Sequence, residues 1–331
     1  MVSIKDVAEM AGVSTATVSR VLSDKPHVRP EMQRRVMNAV EKLGYRPNLI
    51  ARNLRSQQSS TIGLIVADIR NPFFTDISRA VEDTAYEKGF SVYLCNTDEN
   101  SAKEKMYLNL MQDENVAGVI FSPTRETAVS FSTLPLNFPT VVVDRSVRDD
   151  RVDMILIDNV SAGYRLTTHL IENGYRHIGA VFGEASTTGR ERRQGFEQAL
   201  AEHGLAPVHV TYTAPKIEAG FAAASAMLAE NPQIDAILAT NSLLTAGAWK
   251  AIMHHNCRIP DDVALVGFDE TTWTTLVNPP VTVIAQPTYE IGKTATELLL
   301  QRIAEPNRSP RSVILNGKLI VRGSSAPRRA S

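Results

Sequence analysis

Cysteine is nearly absent from this chain of 331 residues, with only Cys95 and Cys257 present. Two thiols exclude a disulfide framework and any multi-cysteine zinc or iron–sulfur site, and they fit a reducing compartment. Long apolar runs are also missing. The most hydrophobic stretches, such as residues 62–67, fall far short of the roughly 18 residues that a membrane span requires. The opening MVSIKDVAEM carries Lys5, Asp6 and Glu9 where a secretory signal would need an unbroken apolar segment. A soluble cytoplasmic protein is therefore expected. The content of 43% hydrophobic and 21% charged residues is that of ordinary globular domains, and the length implies at least two of them.

The net charge of −1 hides an uneven distribution. Residues 1–60 hold ten Lys or Arg against five Asp or Glu, which leaves 25 basic and 31 acidic residues for the rest of the chain. A small basic module joined to a larger acidic one suggests a polyanion as partner of the first segment. An excess of this size also describes a merely solvated surface, so the decision falls to motifs.

Ser3 followed by Asp6 starts a helix in the manner of a capping box, Ile4, Val7, Ala8 and Ala11 share one of its faces, and Gly12 ends it. Ser14 then caps a second helix that buries Val18, Val21 and Leu22 and leaves Thr15, Ala16, Thr17, Ser19 and Arg20 nearer the outside. Pro30 opens a third helix, whose apolar Met32, Val36, Ala39, Val40 and Leu43 close a small core before Gly44. The first two helices make a helix-turn-helix. Short hydroxylated side chains permit close approach to phosphates, and Arg20 has the reach for a guanine edge. By itself this pattern also fits a plain three-helix bundle.

The string VSIKDVAEMAGVSTATVSRVLSDKPHV closely resembles the DNA-binding segment of the LacI/GalR family of bacterial transcription regulators. The resemblance continues through LGYRPNLIARNLRSQQSSTIGLIV, where the family places the end of its headpiece, a hinge helix and the first strand of its effector domain. It implies that Thr15, Ala16 and Arg20 read bases, and that Ser14, Thr17, Ser19 and His27 contact the DNA backbone. It makes Asn48 to Arg55 the hinge helix, with Asn48 and Ala51 on the DNA and Leu54 wedged into the minor groove. On its own residues, Leu54 reads equally as a buried linker leucine. A two-turn segment is too short to be a stable helix in isolation, so its folding would be coupled to operator binding.

From Thr61 onward β-branched runs alternate with amphipathic helices: TIGLIVA, FSVYLCN, AGVIFSP and PTVVVD, then HIGAVFG, VHVTY, DAILATN and VALVGFD. Two wound α/β units with parallel sheets follow from this alternation. The resemblance extends here too, to a two-lobed core like that of periplasmic binding proteins, with a ligand between the lobes. The expected organisation is a small all-α helix-turn-helix headpiece at 1–46, a hinge and linker at 47–60 and an effector-binding and dimerisation core at 61–331. Lobe 1 takes about 61–160 plus 291–320, and lobe 2 about 161–290 plus the C-terminal tail.

Ligands of open α/β sheets lie beyond the carboxyl ends of strands. Asn71, Phe73 and Phe74 follow the first strand, Asp144 follows PTVVV, Asn241 follows DAILAT, Asp269 follows VALVGF, and Arg192 lies near the start of its helix. Planar hydrogen-bonding groups with an apolar wall suit a hydroxyl-rich ligand. Each residue also has a plainer reading: the phenylalanines as core, Asn71 as a helix cap, Asn241 and Asp269 as turn residues, Arg192 as solvated. The family resemblance implies polar ligand contacts for Arg192, Asn241 and Asp269, an apolar wall for Phe73 and Phe74, and approximate further contacts for Ser186 and Thr188.

Two departures bear on ligand choice. Ser242 stands where many relatives carry Asp, and Pro215 or Lys216 where some carry an aromatic residue. Fewer nearby anions, with Arg70, Arg190 and Arg192 available, would suit an acidic sugar such as an aldonate or keto-acid. The IGKTA stretch fails as a phosphate loop because Pro287 stands in place of its first glycine, and no GxGxxG, GxSxG or HExxH motif occurs. No enzyme activity, cofactor or metal is expected. Asp144, Asp158 and Asp269 could form an acidic group in the cleft, which leaves a weak sugar hydrolase, or a sugar-binding protein without a DNA role, as the alternatives. The main expectation is a repressor controlled by a sugar or sugar acid and binding a pseudo-palindromic operator. A homodimer is expected, since no heptad pattern follows VRGSS.

Overall fold

The computed structural model describes residues 2–22, 28–45, 59–184 and 186–328. His27 and the expected hinge segment with Asn48, Ala51 and Leu54 lie outside the described residues. The chain divides into two compact units, Met1–Ser59 and Ser60–Ser331.

In the first unit, α1 (Ile4–Ala11) begins at a reciprocal cap: Ser3 Oγ accepts from the Asp6 amide, and the Asp6 carboxylate accepts from the Ser3 amide at 2.7 Å. It ends at Gly12, whose φ of 61° is the left-handed conformation in which glycine avoids a steric penalty. Arg35 donates to the Gly12 carbonyl at 3.3 Å, tying the turn to the third helix. Next, α2 (Thr15–Leu22) starts from Ser14, whose hydroxyl accepts the Thr17 amide at 3.1 Å. Pro30 opens α3 (Pro30–Leu43), and Gly44 closes it at φ 58°. Val7, Ala8, Ala11, Val18, Val21, Val36 and Ala39 form the small core these helices share.

The second unit holds two six-stranded sheets. Lobe 1 is built on β1 (Thr61–Val66), β2 (Ser91–Asn96), β3 (Gly118–Phe121), β4 (Thr140–Val143) and β5 (Asp153–Ile157). Its helices are α4 (Pro72–Glu87), α5 (Ser101–Asp113) and α6 (Arg125–Ser130). Lobe 2 follows with α7 (Asn159–Glu172), β6 (Ile178–Gly183), α8 (Thr187–Glu202), β7 (His209–Thr213), α9 (Ile217–Glu230), β8 (Ala236–Ala239), α10 (Ser242–His254), β9 (Ala264–Phe268), α11 (Thr272–Leu276) and β10 (Thr282–Ala285). The chain then returns through α12 (Thr288–Ala304) and β11 (Ser312–Leu315), and finishes with β12 (Lys318–Ile320).

The first sheet runs β11-β5-β4-β3-β1-β2, parallel throughout; the second runs β12-β10-β9-β8-β6-β7, with only β12 antiparallel. Strands covered by helices on both faces must be apolar nearly throughout, and β3, β4, β8 and β9 are buried at every position. Among the described residues the chain crosses between the lobes three times: before α7, whose Leu166 and Leu170 pack in lobe 2; before α12, whose Ile291, Ala295 and Leu299 pack in lobe 1; and between β11 and β12. This corrects the expected division, which left 318–320 with lobe 1. Those residues pair with β10 in lobe 2, with Val283 opposite Ile320, because two residues suffice to step from one sheet to the other.

Candidate DNA-reading helix and ligand cleft

Of the side chains expected to meet DNA, Ser14, Thr15, Ala16 and Arg20 are exposed on α2 or its cap, whereas Thr17 and Ser19 are half-buried. The Ser14 and Thr17 hydroxyls share a hydrogen bond of 3.0 Å. Polar groups are thus left exposed on one short helix, over a core that fixes its backbone.

Between the two lobes lies a cavity of about 410 Å³. Asn71, Phe73, Phe74 and Asp144 of lobe 1 border it, as do Ser186, Thr188, Arg192, Asn241 and Asp269 of lobe 2. Several of the plainer readings hold at the same time. Asn71, Ser186 and Asn241 each cap a helix, accepting the amides of Phe73 at 3.1 Å, Gly189 at 3.0 Å and Leu244 at 2.8 Å. Strands ending at the cleft deliver the next helix with its N-terminus there, so its capping residue faces the cavity by topology. Phe73 and Phe74 meet edge to face with centroids 5.0 Å apart, and both belong to the lobe 1 core as well as to the cavity wall.

Arg192 is not solvated. Only 5% exposed, it lies with its guanidinium 4.2 Å from the centre of the Phe268 ring, and it donates to Asn159 Oδ1 at 2.8 Å and to the Thr240 carbonyl. Burial lowers its pKa, while Asp269 and Asp144 pull the other way. Close packing of α7 on α8 sets its position: a Cβ at Gly163 would stand 2.3 Å from the Arg192 carbonyl oxygen. Asp144 and Asp269 follow β4 and β9 at φ 70° and 68°, a conformation Asp tolerates better than most residues. Burial pushes Asp144 up to about 6, against the opposing charges of Arg145 and Arg192. Asp269 is raised by burial too, although it accepts from the Ser242 amide at 3.1 Å and from Gln286 Nε2 at 2.6 Å. Across the cleft, the Ser242 hydroxyl donates to Asn71 Oδ1 at 3.2 Å, a direct bond between lobes.

Sequence reasoning missed Arg145, Glu99 and Gln286. Arg145 pairs with Glu99, with Nη1 2.9 Å from Oε2, and donates to the Pro123 carbonyl at 2.9 Å. Its immediate succession to Asp144 was the available signal. Gln286 follows β10, a strand not delineated from the sequence. The cavity wall carries charge of both signs: Asp68, Asp98, Glu99, Asp144, Glu184 and Asp269 border it beside Arg70, Arg125, Arg145, Arg192 and Lys216. Arg70 is held by Asp68, and Arg190 is exposed and does not border the cavity. Nor does Asp158, which caps α7 by accepting the Ser161 amide at 2.8 Å.

Comparison with known proteins agrees with this architecture. Residues 3–48 match the profile of bacterial regulatory proteins of the lacI family, and residues 59–322 match that of periplasmic binding proteins and the sugar binding domain of the LacI family. The ribose operon repressor of Halalkalibacterium halodurans is 38% identical over 328 residues, covering 97% of this chain and 96% of its own. The HTH-type transcriptional repressor PurR of Aliivibrio fischeri is 34% identical over 340 residues, covering 99% of both chains. A crystal structure of the Lac repressor dimer bound to operator and the anti-inducer ONPF superposes with a TM-score of 0.89 at 26% identity, covering 98% of this chain and 99% of that one. With both of its units matched by the family's own profiles, the chain belongs to the LacI family of bacterial transcription regulators.

Proposed function

We propose that the protein represses transcription as a cytoplasmic homodimer on a pseudo-palindromic operator, and that a sugar or sugar acid bound between its lobes sets its affinity for DNA. In this reading Thr15, Ala16 and Arg20 read bases, and Ser14, Thr17, Ser19 and His27 hold the backbone. Asn48, Ala51 and Leu54 form the element that folds on the operator. Ligand contacts fall to Asn71, Phe73, Phe74, Asp144, Ser186, Thr188, Arg192, Asn241 and Asp269.

The observation that carries the reading is the cavity itself, to which both lobes contribute buried polar groups. A ligand contacting both lobes binds best at one angle between them, so it shifts the population of angles by its differential affinity. Whatever that angle does to the paired hinge segments couples ligand to operator, reciprocally. The protein consumes nothing in this scheme: it binds and releases its effector unchanged.

Operators selected from a random palindromic library by the full chain would test the DNA half. Arg20→Ala should weaken specific binding by about 1–3 kcal/mol, roughly five- to 150-fold, and relax preference at one base pair. Asp269→Asn, which keeps the shape and tolerates the left-handed backbone, should abolish the ligand's effect on operator affinity while ligand-free operator binding persists. Equal loss of both properties in that variant would overturn the assignment of Asp269.

A further inference from the structure

The charges around the cleft fall into two groups. In the interior, every charge among the described residues already has a partner or an opponent. Arg145 is paired with Glu99 and lies 3.6 Å from Asp144, Arg192 is faced by Asp144 and Asp269, and Asp269 is held by Gln286 and the Ser242 amide. Three carboxylates against two guanidinium groups make this interior a poor place for another anion, and a good one for hydroxyl groups that donate to acids. Arg70, at the mouth, is likewise held by Asp68.

The rim is different. Arg125 of lobe 1 and Lys216 of lobe 2 both border the cavity, both are exposed, and neither has an ion-pair partner among the described residues. Glu184 is the rim acid without a partner among them. The uncommitted charge is therefore positive, and it is shared between the lobes.

We infer that the cleft ligand is a polyol bearing one terminal anion, a carboxylate or a phosphate ester, with its hydroxyls on Asp144, Asp269 and Arg192 and its anion at the rim between Arg125 and Lys216. This rests on the cleft being the effector site, and it narrows the effector from sugars in general to those with a charged end. It also assigns a role to Lys216, which stands on the entry to α9: an anion there draws the two lobes toward each other, because its two cations belong to different lobes. Exposed rim cations give a contact that salt screens, unlike the buried pairs of the interior.

The test uses the intact chain and matched sets of ligands: D-glucose, D-gluconate and D-glucose 6-phosphate, and D-ribose, D-ribonate and D-ribose 5-phosphate. Melting temperature and operator binding are measured for each. At least one anion is expected to stabilise the protein by mass action where its neutral parent does not, with affinity falling as salt rises. The carboxylate and phosphate arms separate the two sources of charge. Arg125→Ala and Lys216→Ala, both at exposed positions, should each weaken that anion roughly tenfold, and Lys216→Glu should abolish its binding. Equal stabilisation by the neutral parents, no stabilisation by any anion, or unchanged affinity in both alanine variants would overturn the inference. A neutral sugar that alone releases the operator would remove the anion and keep the regulator. An anion that binds through Lys216 yet leaves operator affinity untouched would do the reverse.

Discussion

Arg20 of the headpiece and Arg192 of the core carry the same guanidinium in opposite settings. Arg20 stands exposed in the last turn of an eight-residue helix. Arg192 is fixed by Asn159, the Thr240 carbonyl and the Phe268 ring. Arg20 makes no side-chain hydrogen bond or ion pair among the described residues, whereas Arg192 is part of the packing of its lobe. An exposed residue of the headpiece such as Arg20 can therefore change with little effect on stability. One in the cleft is coupled to the fold of its lobe, which is how a small ligand gains purchase on large pieces of protein.

That contrast can be broken most sharply at Arg145. Arg145→Ala strands the Glu99 and Asp144 carboxylates, and it should cost the core about 3 kcal/mol, the lower end for a broken buried pair because Glu99 is 32% exposed. Urea unfolding followed by tryptophan fluorescence reads the core selectively, since Trp249 and Trp273 both lie there. A loss as small as that of a surface substitution would place the cleft charges in the same class as those of the headpiece.

A smaller effect comes from Asp144. Its unfolded value is near 3.8 and its folded value about 6, so the native state binds the proton more tightly. The stability this contributes is fully present below about pH 4 and is lost as pH rises through 6, a span of roughly 2–3 kcal/mol at most. Asp144→Asn removes the titration and suits the positive φ. It should be more stable than the parent at pH 7.5, with the advantage shrinking toward pH 4. A constant difference across that window would refute the assignment.

The smallest effect tests the headpiece. Gly12→Ala forces a side chain into the left-handed turn and to within 2.4 Å of Arg35 Nη2, and it should cost that unit about 1 kcal/mol while leaving the core transition unmoved. Amide hydrogen exchange in α1 to α3 reads the loss. A shifted core transition would show that the two units do not melt separately.

Legibility in the sequence followed the same divide. The headpiece is governed by rules acting over three or four residues, so Ser3 with Asp6, Gly12, Ser14, Pro30 and Gly44 marked its helices within one or two positions. In the core, the strand-end rule located residues that border the cleft because topology carries strand ends there. It missed the pairing of Arg145 with Glu99, which lie 46 residues apart on different strands' exits. Gln286 was lost along with β10, a four-residue strand, and β12 went to the wrong lobe because nothing local distinguishes a strand that stays from one that crosses.

The three passages of backbone between the lobes have a mechanical corollary. Joined by one thread, two bodies swivel freely; joined by three side by side, they bend about a shared line and resist being twisted or pulled apart. Cutting any one passage with a protease would leave the halves tethered by the other two.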